Sequence, residues 1–229
     1  MTSTALPARA PRPARFAGST IGRKVVMAVT GLMMIGFIVA HLTGNLLVFM
    51  GPEAIREYAV WLREVGHGLI LWALRLGLLA AVLLHVWAAT SLTLDSRAAR
   101  PAGYRSFEPR GSTLASRTMR WSGYLLLAYV VYHLLDMTWG SVHPDFIHLD
   151  PYHNVVVGFR RPLVTGFYLV AMILLGLHLA HGTWSALRTL GLSHPRYVPL
   201  VRLVSFGFGT VVALGYISIP LAVLLGILR

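Results

Sequence analysis

The chain has no cysteine, and only eight of its 229 residues are acidic. Without thiols it forms no disulfide, offers no thiolate to a metal and holds no iron–sulfur cluster of its own. Histidine and methionine remain as metal ligands. Charge of either sign is scarce at 12%, against 56% hydrophobic residues. A mean hydropathy of +0.66 excludes an ordinary soluble domain of this length and calls for a bilayer. The shortage of acids leaves a net charge of +12. A nucleic-acid partner is not expected, because the basic residues sit in short segments between apolar runs, as in the cytoplasmic loops of membrane proteins.

A spanning helix needs roughly 20 mostly apolar residues. Five stretches qualify, at 25–50, 68–94, 119–139, 162–187 and 201–228. The expected fold is an all-α membrane protein with five transmembrane helices in one domain over 21–229. A basic, proline-rich arm over 1–20 precedes it, too poor in apolar residues to fold alone. The first stretch is too long for a signal-peptide core and no small-residue cleavage site ends it, so it is expected to be retained.

Five spans place the termini on opposite sides. With the N-terminus inside, the inner segments hold Arg9, Arg12, Arg15, Arg23 and Lys24, then Arg97, Arg100, Arg105, Arg110, Arg117 and Arg120, then Arg188, Arg196 and Arg202. Six arginines are left outside: Arg56, Arg63, Arg75, Arg160, Arg161 and Arg229. Most acids, including Glu53, Glu57, Glu64, Asp136, Asp145 and Asp150, fall at or beyond the outer ends. The asymmetry predicts a cytoplasmic N-terminus and an external C-terminus in a multi-pass inner-membrane protein.

The linkers separate by character. Residues 95–120 form the largest inner surface and the expected dock for a cytoplasmic partner. Residues 52–66 carry Ile55, Ala59, Leu62 and Val65 among charges, the pattern of a short amphipathic helix at the interface. Residues 141–154 contain three histidines and read as a solvated loop.

Five of the ten histidines fall inside predicted spans: His41, His85, His133, His178 and His181. An ionisable side chain there costs on the order of a few kcal/mol and faces the bundle interior with a partner. Counted at about 1.5 Å per residue, His85 and His178 share an inner level, while His41 and His133 lie nearer the outer ends. Two pairs of neutral imidazoles at two depths suit two bis-histidine b-type haems. A zinc site would gather its ligands tetrahedrally instead. Gly44, Ala81, Ala88, Ala89, Gly176 and Gly182 are the small residues beside these histidines. The fifth stretch has no histidine but carries Gly207, Gly209, Gly215 and Pro220, which suggests a packing helix.

The motifs AHLTGNLL, LLHVWA, VYHLLD and LHLAHGTW follow one another on the first four helices. In this order the chain, from Ser19 to Arg229, resembles the single-chain, five-helix cytochrome b subunit of succinate:quinone oxidoreductases, the membrane anchor of succinate dehydrogenase and fumarate reductase. The resemblance implies axial ligands at His41, His85, His133 and His178, the first helix pairing with the third and the second with the fourth. It implies two haems b, a flavoprotein and an iron–sulfur subunit docked on the cytoplasmic face, and electron delivery to quinone, menaquinone in particular. A higher oligomer of the complex is compatible with it. The doubled histidine departs from the simplest pattern, and His181 is the candidate neighbour of the ligand, expected to hydrogen-bond a haem propionate or a quinone. Arg23 and Trp184 are further candidates for a propionate.

Quinone sites are weakly marked. Asp136 is the candidate acid on the outer side, with Glu53 and Glu57 behind it, and Ser19 is a candidate on the inner side. Two other readings compete: a haem-free proton relay or transporter built on the histidines, and the dihaem anchor of a different quinone-linked dehydrogenase.

Overall fold

The computed structural model describes residues 18–99 and 113–229. Most of the basic arm, and Arg100, Arg105 and Arg110 of the inner loop, lie outside the described residues. The described residues hold seven α-helices: α1 Thr20–Leu46, α2 Pro52–Glu64, α3 Leu69–Ala98, α4 Leu114–His133, α5 Pro151–Phe159, α6 Pro162–Thr189 and α7 Val198–Leu224. The described residues contain no strand. Helical stretches over Thr20–Met50, Pro52–Ala98, Pro162–Thr189 and Val198–Leu224 are long and apolar enough to cross a membrane. The chain is a multi-pass membrane protein. α4, the fifth expected span, is shorter and carries Arg117 and Arg120 near its start; among the described residues four stretches, rather than five, are long and apolar enough to qualify.

Local chemistry sets the helix ends. Ser19 caps α1 by accepting from the Gly22 N–H at 2.9 Å. The helix therefore starts inside the arm expected over 1–20. Thr113 and Ser116 form a reciprocal capping box at α4. α2 turns into α3 through three successive left-handed residues, Gly66, His67 and Gly68. Glycine at two of the three removes most of the steric cost of that reversal. The amphipathic helix expected at 52–66 is α2, which turns Ile55 into the core at 4% exposure.

Side chains such as Leu83, Leu203, Val211 and Leu214 point outward from the bundle. In a bilayer such faces lie against lipid, so helix association depends on close packing and hydrogen bonds. α1 packs on α3 and α6, and α6 packs on α4 and α7. The closest crossing is α6 on α7. A Cβ at Gly176 would come within 3.1 Å of the Gly209 carbonyl oxygen, and a Cβ at Gly209 within 2.9 Å of the Ala180 nitrogen. The histidine-free α7 is thus the packing helix its sequence suggests.

The segment over 141–154 is solvated only in part: His148 and several neighbours are exposed, but two of its polar side chains are buried. His143 is 6% exposed and Asn154 is 5% exposed. Asn154 is clamped to both backbone groups of Ile147 at 2.9 and 2.8 Å. Asp150 caps the unexpected helix α5 through His153 N–H at 3.0 Å. The polar composition of the segment conceals a fold held by side chain to backbone bonds, which leave no hydrophobic periodicity.

Candidate functional site: two histidine pairs at two depths

The four helices α1, α3, α4 and α6 bring four histidines together as two pairs. His41 on α1 faces His133 on α4, with ring centroids 5.9 Å apart and planes at 79°. His85 on α3 faces His178 on α6, at 6.5 Å and 57°. All four rings are half-buried. A ring nitrogen binds a transition metal at about 2 Å, so two imidazoles on opposite sides of one metal have centroids roughly 6 Å apart. Both observed separations match that spacing. Among the described residues, no group of three or more ionisable ligand side chains converges on one point.

Hydrogen bonds select the nitrogen that each ring presents. His85 Nδ1 donates to the Met27 carbonyl oxygen at 3.1 Å and lies 3.3 Å from Thr30 Oγ1. The Thr30 proton goes to the Val26 carbonyl at 2.7 Å, so this hydroxyl is a second, longer acceptor that shares the one Nδ1 proton with Met27. His178 Nδ1 stands 3.3 Å from Ser122 Oγ, whose proton goes to the Met119 carbonyl at 3.1 Å. His133 Nδ1 stands 3.3 Å from the Tyr168 hydroxyl, which donates to Asp136 Oδ2 at 3.0 Å. In each case the hydroxyl proton is already committed, the ring keeps its proton on Nδ1, and the Nε2 lone pair is free. His41 is held by its faces instead, stacked on Phe37 at 5.2 Å and near Tyr216 at 6.2 Å.

The two levels are evenly separated on three helices. Thr30, which meets His85, precedes His41 by eleven residues on α1; Ser122, which meets His178, precedes His133 by eleven on α4; Tyr168, which meets His133, precedes His178 by ten on α6. At about 1.5 Å per residue, each interval is roughly 15 to 17 Å. The pairing by depth therefore corresponds to real contacts.

Small residues beside the rings are only partly those expected. Gly44 lies under the ring of Tyr58 from α2, and Gly176 lies against α7, so neither borders a histidine. Gly182 faces Met119. The glycines against the rings are Gly31, whose added Cβ would lie 3.4 Å from His85 Cε1, and Gly123, at 3.5 Å from His178 Cε1. Each stands on the neighbouring helix, which counting along the histidine's own helix does not reveal. Ala81 and Ala88 are fully buried on α3.

Asp136 is not an accessible acid at a membrane edge. It is fully buried within the π-helical turn Leu134–Thr138 that follows α4. Besides Tyr168 it accepts from Arg161 Nη2 at 2.8 Å and His143 Nδ1 at 3.0 Å. With Oδ1 taking two donors and Oδ2 one, its acceptor capacity is largely used. Glu53 and Glu57 are exposed on α2, apart from this cluster. Sequence reasoning missed His143, Arg161 and Tyr168. For Tyr168 a signal existed, its ten-residue offset from His178.

Toward the N-terminal end of α1, Arg23 pairs with Asp95 of α3 at 2.5 Å, while its Nε is buried without a partner. The acid Asp95 was not among the expected site residues. His181 lies beside Trp184, with ring centroids 5.8 Å apart, and the Trp184 Nε1 is likewise buried and unpartnered. Arg188 and Arg202 lie over the Trp184 ring at 5.0 and 5.8 Å. A cavity of about 450 Å³ opens here between α1 and α6, lined by Lys24, Trp184, Ser185 and Arg188 among others. Ser19 serves as the α1 cap.

The chain matches no family model, no curated protein and no solved structure.

Proposed function

We propose that this chain is the membrane-anchor cytochrome b subunit of a succinate:quinone oxidoreductase, holding two haems b. The supporting observation is the pair of His–His contacts at 5.9 and 6.5 Å. His41 and His133 would hold one haem, His85 and His178 the other. In this reading α4 is the fifth span, the N-terminus is cytoplasmic and the membrane is the inner one. A flavoprotein and an iron–sulfur subunit dock on the cytoplasmic face.

Bound haem supplies reversible one-electron chemistry at each level. The chain's own residues do the rest. Met27, Thr30, Ser122 and Tyr168 hold the Nδ1 atoms of His85, His178 and His133, which leaves Nε2 of those three rings as the nitrogen for a metal. Gly31 and Gly123 leave room beside the inner rings. Lys24 and Arg188, at the α1–α6 cavity, supply positive charge suited to a carboxylate, with Trp184 Nε1 as an additional donor. His181, three residues beyond His178, stands between the inner pair and this cavity and is the candidate contact to a haem propionate or quinone. Electrons from succinate would enter at the inner level and reach quinone, menaquinone in this reading, in the membrane.

The deciding experiment is purification with whatever co-elutes, a reduced-minus-oxidised spectrum, and an assay of succinate-driven quinone reduction. Two b-type haems per chain are expected. A colourless preparation favours the haem-free relay and sinks this reading. A dihaem preparation without succinate activity points to the anchor of a different dehydrogenase. His178→Ala should lose half of the haem and His181→Ala none; the reverse would exchange their roles.

A further inference from the structure

Three of the four paired histidines are anchored at Nδ1, but one anchor differs in kind. The hydroxyls that receive His85 and His178 pass their own protons to backbone carbonyls, Val26 and Met119. The hydroxyl that receives His133 passes its proton to a carboxylate. We propose that Tyr168 is a positioning residue that couples the Asp136 charge to His133 and thereby sets the electron donation of His133 Nε2 to the metal it binds. This inference rests on the dihaem reading.

The arrangement is directional. Asp136 turns Oδ1 to Arg161 and His143, and Oδ2 to Tyr168. The positive partner therefore lies on one side of the carboxylate and the tyrosine on the other, so the negative end of the ion pair faces the His133 side. Asp136 is 0% exposed, which keeps water from screening it. Tyr168 is held in one position, with Phe159 and Tyr129 edge-on at 5.0 and 5.1 Å. A hydroxyl that donates to a carboxylate is a stronger acceptor for the next donor in line. An imidazole whose N–H enters such a chain is a more basic ligand, as in carboxylate–histidine–metal arrangements, and favours the oxidised metal. The tyrosine is interposed here between the carboxylate and the ring. Removing its hydroxyl is then expected to raise the reduction potential at the His41–His133 level only.

The test is an optical redox titration of the protein purified with its co-eluting subunits. Tyr168→Phe keeps the ring and its packing and removes one hydroxyl. Both haems should remain, with the midpoint of one moving upward and the other unchanged. The haem that moves should be the one lost in His133→Ala. Asp136→Asn, which keeps a hydrogen-bonding side chain but removes its charge, should move the same haem in the same direction and covers the case in which Tyr168→Phe does not assemble. Two retained haems with unmoved midpoints overturn the coupling, as does an equal shift of both. A shift confined to the haem lost in His85→Ala also overturns it. A wild-type preparation without b-type absorbance overturns the dihaem reading itself and the coupling with it, which separates that failure from the others.

Discussion

His178 on α6 meets Ser122 on α4 at 3.3 Å through its Nδ1. One level away, the same two helices exchange roles: α4 supplies His133 and α6 supplies the Tyr168 hydroxyl, again at 3.3 Å. Each helix thus offers a paired histidine at one depth and an orienting hydroxyl at the other. The α4–α6 pair contributes to both histidine pairs, so displacement of either helix as a whole, unlike a single side-chain change, is expected to be felt at both.

The pairing itself predicts a simple pattern. His41→Ala and His133→Ala should each remove one haem, and the double variant should remove no more. His85→Ala and His178→Ala should behave likewise for the other haem. Pyridine haemochrome quantification of the four singles and two doubles checks this. A double variant in either pair that loses all haem would show that the pairs are wrongly drawn.

Ser122→Ala should leave both haems in place but loosen one. Loss of an orienting partner typically weakens metal binding about 10- to 100-fold. Transfer to a haem-scavenging protein should therefore accelerate for the His85–His178 haem, while the other keeps its wild-type rate.

The α6–α7 crossing predicts unequal costs for two nearby glycines. A Cβ at Gly209 runs into the backbone of α6, whereas one at Gly207 meets nothing within 4 Å. Gly209→Ala should destabilise by about 1–3 kcal/mol through overpacking. Gly207→Ala should be silent or slightly stabilising. Thermal unfolding in detergent compares the two, and equal melting temperatures would contradict the close crossing.

The ion pair on Asp136 should reveal its burial by non-additivity. Arg161→Met leaves a fully buried carboxylate without its counter-charge, at a cost of about 3 kcal/mol. Adding Asp136→Asn removes that charge and should recover part of the loss. A double variant less stable than Arg161→Met alone would mean that the carboxylate acts mainly as a hydrogen-bond hub for His143 and Tyr168.

Much of the site was legible from spacing. The periodicity of an apolar helix gives each residue a depth, and equal depth was enough to pair His41 with His133 and His85 with His178. The orienting hydroxyls were missed, although Thr30, Ser122 and Tyr168 each precede a histidine on their own helices by ten or eleven residues. His143 had no such mark. It lies in an irregular segment, and its burial comes from Asp136, seven residues earlier, by a bond no periodicity encodes.

Composition and order were sufficient for the membrane character, for most of the helical stretches and for the relative depths of the histidines, because these depend on hydropathy and on the constant rise of a helix. Azimuth and neighbourhood were not contained there. Gly176 looked like room beside His178, and the fold turned it to α7; Gly31 and Gly123 took the places beside the rings from adjacent helices. Asp136 read as an acid at the membrane edge, and the fold enclosed it among Arg161, His143 and Tyr168. Which faces meet is set by packing between helices distant in the chain, where side-chain shape and hydrogen bonding act together.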